Sequence, residues 1–137
     1  SGTIHAIGKG VTVIEIQQNS NLTYRLYDYN RIGKDGKPRE LHIQKALKVI
    51  DTKAYHPISF QEPLIGECKY FSSSVHNVKD IPMIQANKES FISITFLTGE
   101  GSVNSIPYKA LETFFIPAGK EAVLKGSGTF VLTTVNR

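Results

Sequence analysis

The stretch "SFISITFL" (residues 90–97) alternates polar and apolar side chains and is rich in β-branched residues. This period-two alternation is typical of a β-strand that buries one face. Four other stretches show it: "VTVIEIQQ" (11–18), "LTYRLYDY" (22–29), "ALETFFIP" (110–117) and "GTFVLTTV" (128–135). Gly, Pro, Asn and Ser separate them, as turns require. The sequence therefore predicts a mainly β, antiparallel protein.

Two further segments predict a helix and a hairpin connection. In "PRELHIQKALKVID" (38–51) apolar residues recur at helical spacing after an early proline, so we expect one helix near residues 39–50. In "FLTGEGSV" (96–103) apolar runs flank Gly-Glu-Gly, which predicts a hairpin connection.

Composition sets broad limits on function. A chain of 137 residues can bury a real core, and its single cysteine, Cys68, excludes an internal disulfide. No stretch resembles a signal peptide or a membrane span, so we expect a cytoplasmic protein without a membrane partner. The net charge of +4 suits an anionic small molecule, but the basic residues form no stripe typical of nucleic-acid binding. Because the chain starts without methionine just before an apparent strand, we expect it to be cut from a longer protein.

A long-range repeat relates the two ends of the chain. Aligning Gly2 with Gly119 places "SGTIHAIGKGVTVIEIQ" over "AGKEAVLKGSGTFVLTT". Both copies read as a short strand, a glycine turn and a longer strand. The second copy has Ala122 and Leu132 where the first has His5 and Glu15, which suggests one active unit and one structural unit.

Pro117 precedes the second copy, which therefore has the Pro-x-Gly spacing but Ala122 where a histidine would stand. The first copy has that histidine, His5, and would complete the pattern Pro-x-Gly-x-x-His if a proline preceded Ser1. This pattern resembles the second sequence motif of cupins, which are small jelly-roll barrels. Residues 1–51, from "SGTIHAIGKGVTVIEIQ" through "LTYRLYDYNR" to "GKPRELHIQKALKVID", resemble the later part of a type I phosphomannose isomerase (mannose-6-phosphate isomerase). The ending "FFIPAGKEAVLKGSGTFVLTTV" is similar to the C-terminal jelly roll of that family.

The resemblance implies a cupin-like jelly-roll architecture in which one helix links a partial first barrel to a second barrel. Residues 1–51 would belong to the catalytic barrel with its helix, 52–63 would form a linker, and 64–137 would form a second jelly roll without a metal and with an apolar interior. The unpaired edges of a partial barrel leave the oligomeric state open.

The resemblance also implies zinc as the cofactor. The family holds zinc with a Gln-x-His pair, a Glu and the histidine of a Gly-Thr-x-His-Ala motif, and only the last is present, as His5. The other ligands would lie upstream of residue 1. The alternative is that His5 binds no metal and is a hydrogen-bonded histidine on a barrel strand. The implied reaction is a proton transfer between C1 and C2 of a phosphosugar through an enediol.

Two further residues are candidates for that site. Glu15 lies within an apolar run and would hold substrate hydroxyls or a base, unless it is an outward-facing residue of a half-exposed strand. Arg25 would stabilise the enediolate or contact the phosphate, since its paired N–H donors suit an oxyanion; the alternative is a surface arginine on an edge strand.

The remaining ionisable residues carry less signal. His42 reads as a surface or capping residue of the helix, His56 lies in the linker, and His76 has no partner at ligand spacing. Lys37 and Arg39 lie near a substrate-binding lysine of distant family members, but the loop differs in length. Cys68 reads as an ordinary small apolar side chain.

The leading hypothesis is thus the C-terminal part of a zinc-dependent mannose-6-phosphate isomerase, inactive as a fragment. A sugar- or partner-binding jelly-roll module without catalysis is the alternative. A different metal cupin would require a His-x-His motif, which the sequence lacks.

Overall fold

The structure is a computed structural model that describes residues 2–54 and 56–136. Three residues lie outside the described residues. Ser1 belongs to the end at which we expect the chain to be cut, Tyr55 to the predicted linker, and Arg137 to the predicted second jelly roll. The chain divides into two compact units, Ser1–Pro57 and Ile58–Arg137.

The second unit contains all nine strands of the described chain. They are β1 (Leu64–Glu67), β2 (Phe71–Asn77), β3 (Met83–Gln85), β4 (Ile92–Phe96), β5 (Glu100–Val103), β6 (Ile106–Lys109), β7 (Thr113–Ile116), β8 (Glu121–Ser127) and β9 (Thr129–Val135). They form a five-stranded sheet, β1-β2-β9-β4-β7, and a four-stranded sheet, β3-β8-β5-β6. Every pairing is antiparallel. This two-sheet arrangement confirms the mainly β, jelly-roll fold class.

The core of the second unit lies between its two sheets. Along β4 the pattern alternates as predicted, with Ile92, Ile94 and Phe96 buried. The ring of Phe96 stacks on Tyr108 of the other sheet, with ring centroids 3.5 Å apart and planes 6° from parallel. Burying one such side chain contributes about 1.5–3 kcal/mol, so contacts of this kind hold the sheets together.

The Gly-Glu-Gly segment does not form the predicted hairpin. β4 and β5 lie in different sheets, and the segment carries the chain from one sheet to the other. Glycines allow a close approach there: a Cβ on Gly101 would lie 1.9 Å from the backbone oxygen of Lys125 on β8. The glycines thus serve strand packing across β5 and β8, which alternation along the sequence does not reveal.

The first unit contains the one helix of the described residues, α1 (Ile43–Leu47). It is shorter than the predicted 39–50, because only Ala46 of its residues is buried and a short helix depends on such packing. A turn at 33–37 precedes the helix: the Gly33 N–H donates to the Lys37 carbonyl at 2.7 Å, next to an isolated bridge between Ile32 and Pro38.

The strands predicted at 11–18 and 22–29 are absent from the structure, and that prediction is wrong. Alternation survives in part, since Ile14 and Ile16 are half-buried while Glu15 is exposed. A strand also needs a neighbouring strand to complete its hydrogen-bond ladder, and no strand of the described residues pairs with these segments.

Candidate functional site

His5 lies beside the segment that follows Arg25. It is exposed and lines an open cleft of about 210 Å³ together with Ala6, Ile7, Tyr27, Asp28, Tyr29 and Arg31. Its Nδ1 lies 3.1 Å from the Thr3 carbonyl oxygen. A carbonyl only accepts, so this contact places the proton on Nδ1 and leaves the Nε2 lone pair able to bind a metal.

Arg25 is half-buried, and its backbone is hydrogen-bonded to His42 in both directions. The Arg25 N–H donates to His42 Nδ1 at 3.3 Å, and the His42 N–H donates to the Arg25 carbonyl at 2.7 Å. We call this pair of contacts the 25–42 clasp. His42 was predicted to be an ordinary surface or capping histidine. It is the N-cap of α1, but its side chain makes no capping hydrogen bond and contacts Arg25 instead.

A second pair of residues fixes the same two segments. The Arg39 guanidinium donates from Nε to one oxygen of the Asp28 carboxylate at 2.6 Å and from a terminal nitrogen to the other. These hydrogen bonds hold the pKa of Asp28 below its usual value, against the opposing effect of burial, and Arg31 and Arg25 add to the lowering. Asp28 therefore stays ionised beside the cleft.

The Asp28–Arg39 pair was not predicted. The sequence places the two residues eleven positions apart, across the turn at 33–37. Asp28 lies five residues before that turn and Arg39 two residues after it, so the two are not at equivalent positions and the sequence offered no signal for this pair.

Glu15 is exposed, between the half-buried Ile14 and Ile16. No hydrogen bond or ion pair among the described residues joins it to His5 or Arg25. The structure thus places His5 and Asp28 in the cleft, and the charge of Arg25 lowers the pKa of Asp28. Glu15 is not among the residues that line this cleft.

The described residues do not by themselves build a zinc site. Zinc takes three or four protein ligands, and no group of three or more His, Cys, Asp or Glu side chains in 2–54 and 56–136 is placed to hold a metal ion. His5 fits as one ligand through Nε2, so further ligands would have to come from elsewhere.

In the second unit the position equivalent to His5 faces the core. Ala122 is fully buried, and Leu132, which aligns with Glu15, packs against the same core cluster. The glycines that anchor the alignment share a left-handed backbone, with φ of +89° at Gly2 and +71° at Gly119. The repeat therefore maps both His5 and Glu15 onto interior positions of a jelly roll.

The other candidates from the sequence lie outside this cleft. His76 contacts Ser74 Oγ at 2.7 Å beside Phe130, and burial lowers the pKa of His76. Cys68 is exposed rather than packed as a small apolar side chain, because it lies in the loop between β1 and β2. His56 is exposed as well. Among the described helices, none is long and apolar enough to cross a membrane.

Known proteins resemble the chain over most of its length. Mannose-6-phosphate isomerase ManA of Bacillus subtilis is 37% identical over 132 residues, which cover 87% of this chain and 42% of ManA. The chain is a homologue of mannose-6-phosphate isomerase. The putative mannose-6-phosphate isomerase YvyI of the same organism is 34% identical, over 98% of the chain and 47% of YvyI. No protein-family model matches the chain.

A comparison with solved structures also finds a mannose-6-phosphate isomerase. The crystal structure of the mannose 6-phosphate isomerase from Bacillus subtilis superposes with a TM-score of 0.65 at 26% identity, over 85% of this chain and 41% of that one. The family resemblance predicted from the sequence is thereby confirmed. The chain spans less than half the length of the mannose-6-phosphate isomerases that it matches.

Proposed function

We propose that the chain is the C-terminal part of a zinc-dependent enzyme that interconverts mannose 6-phosphate and fructose 6-phosphate. The similarity to mannose-6-phosphate isomerases across both units carries this proposal. An anionic phosphosugar substrate suits the net charge of +4. We also propose that the protein is cytoplasmic, as expected for an enzyme that acts on such a substrate.

In this proposal His5 supplies one zinc ligand, and the remaining ligands come from the part of the relatives that the chain does not span. The Nδ1 contact with the Thr3 carbonyl supports this role because it fixes the ring tautomer in which Nε2 can bind a metal. When bound, zinc would polarise carbonyl and hydroxyl oxygens of the sugar as a Lewis acid.

Arg25 and Glu15 have complementary roles in the proposed reaction. The proton moves between C1 and C2, and negative charge develops on the oxygens of the enediolate. The guanidinium of Arg25 would hold that charge, or the phosphate, with paired N–H donors. Glu15 would hold substrate hydroxyls or take part in the proton transfer. The repeat supports an interior place for Glu15, because Leu132 occupies the equivalent core position.

The first unit leaves many apolar side chains uncovered, which supports its being part of a larger barrel. Exposed examples are Ile4, Ile7, Val11, Val13, Leu22 and Tyr24. So many exposed apolar side chains in a short segment are typical of a surface that another segment covers. We therefore propose that residues 1–51 belong to a catalytic barrel, that 52–63 link it to a metal-free jelly roll at 64–137, and that the chain alone is inactive.

Two substitutions in the full-length protein test the proposal. His5→Ala removes a metal ligand, so zinc content and turnover should fall together. Arg25→Lys keeps the charge and loses the paired donors, so turnover should fall roughly 10- to 1000-fold with zinc retained. Conversion of mannose 6-phosphate gives the turnover, and atomic spectroscopy gives the zinc content.

Gln44→Ala on the exposed side of α1 is the matched control and should leave both quantities unchanged. Full zinc content and near-normal turnover in the His5→Ala protein would show that His5 is an ordinary strand histidine.

A further inference from the structure

We propose that His42 is a positioning residue that holds Arg25 in place through the 25–42 clasp. The inference deepens the proposed function, on which it rests, by naming what orients the arginine. His42 itself makes no contact with substrate in this proposal, and its effect passes through the backbone of Arg25.

The clasp is specific in its chemistry. A backbone N–H only donates, so the 3.3 Å contact from Arg25 requires His42 Nδ1 to accept, which is the neutral tautomer with its proton on Nε2. The opposite hydrogen bond, from the His42 N–H to the Arg25 carbonyl, satisfies the other backbone group of the same residue. Both backbone polar groups of Arg25 are therefore bonded to one residue.

His42 is itself well anchored. Its carbonyl accepts from the N–H of Ala46 at 2.8 Å, and Ala46 is the buried residue of α1. The imidazole is only 16% exposed, whereas the nearby Glu40 carboxylate, 3.6 Å from Nε2, is 81% exposed. The clasp thus joins Arg25 to the N-cap residue of α1, and the exposed carboxylate contributes little to it.

The segment that carries Arg25 lacks regular structure of its own. No strand or helix is assigned to residues 22–31, so the ladder hydrogen bonds that would fix a strand residue are missing here. The Asp28–Arg39 pair fixes the segment three residues further along. The clasp supplies the corresponding restraint on the backbone of Arg25, from which its side chain extends.

Removing the acceptor should cost turnover more than substrate binding. His42→Ala leaves the Arg25 N–H without its partner, and a displacement of about 1 Å at a catalytic group lowers rates by up to roughly 100-fold. Because a group that stabilises the enediolate acts only in the transition state, we expect kcat of the full-length protein to fall about tenfold or more, with KM within about twofold and zinc content unchanged.

The conservative variant separates positioning from a general effect on folding. His42→Asn keeps an acceptor oxygen at the place of Nδ1, so it should restore most of the turnover lost in His42→Ala. Glu40→Gln removes the exposed carboxylate and keeps the clasp, so it should behave like the unmodified protein. Amide hydrogen exchange at Arg25 supplies a readout independent of catalysis, and it should accelerate in His42→Ala and recover in His42→Asn.

Several results would overturn the inference. Normal kcat in His42→Ala, equal losses in His42→Ala and His42→Asn, unaltered exchange at Arg25, or zinc loss in parallel with kcat would each do so. If Arg25→Lys itself keeps full turnover, the proposed role of Arg25 fails. The exchange measurement would then still decide whether His42 holds the backbone of Arg25.

Discussion

Replacing Ala122 with histidine puts the side chain of the first repeat copy into the second copy. The structure allows no room for it, since Ala122 is 0% exposed and pairs with Ile84, while Leu124 is buried on the same face of β8. Overpacking a dense core costs about 1–3 kcal/mol. An imidazole without partners adds about 1–3 kcal/mol. The Ala122→His protein should therefore lose about 2–6 kcal/mol of its free energy of unfolding.

Urea unfolding followed by circular dichroism measures this loss, because the chain has no tryptophan. Ala122→Leu is the matched control: it has a similar bulk and no polar atoms, so it should lose only the packing share of about 1–3 kcal/mol. The extra loss should grow below about pH 6.5, where the unfolded chain protonates the new imidazole and the buried ring stays neutral.

A loss below about 0.5 kcal/mol in Ala122→His would refute the reasoning, because it would show that the interior accepts a polar ring. Zinc that restores the stability of this variant would refute it as well, since the second barrel would then hold a latent metal site.

Two further predictions concern single side chains. Gly101→Ala should lower the free energy of unfolding of the second unit by more than about 3 kcal/mol, because the new Cβ would meet the backbone of the facing strand. Gly66 has open space around it, so Gly66→Ala is the control and should change that free energy by less than about 1 kcal/mol in the same urea assay. Because its folded pKa is lowered, the Asp28 carboxylate stabilises the fold above its unfolded pKa and loses this contribution as pH falls through its folded pKa. Asp28→Asn should thus be less stable than the unmodified protein at pH 7, with a difference that narrows below about pH 4; a constant difference between pH 7 and pH 3 would contradict the ion pair.

The strands of the second unit could be predicted because their partners lie within the chain. β4 and β9 alternate along the sequence, and they pair with each other in register from Ile92 and Thr134 to Phe96 and Phe130. The glycines at Gly99 and Gly101 could not be interpreted in the same way. They resemble a hairpin turn locally, and only the approach of β8 shows that they carry the chain between sheets.

Residues 11–18 and 22–29 also alternate in part between polar and apolar side chains, and yet no strand forms there. Periodicity reports which side chains would share a buried face, whereas a strand also needs a neighbour for its backbone groups. Many apolar side chains of the first unit are exposed among the described residues, as expected where such a neighbour is missing. Within the proposed function, the rest of the longer protein supplies that neighbour.

The 25–42 clasp shows why positioning residues escape sequence reasoning. A histidine at the start of a helix has the pattern of a capping residue, and nothing in residues 38–51 distinguishes an imidazole that caps from one that contacts another segment. The distinction depends on a contact across seventeen residues of chain that bends around the turn at 33–37. The resemblance points to Arg25 as a candidate, and only the structure shows its contact with His42. The exchange rate of the Arg25 amide is therefore the measurement that links the fold to the proposed chemistry.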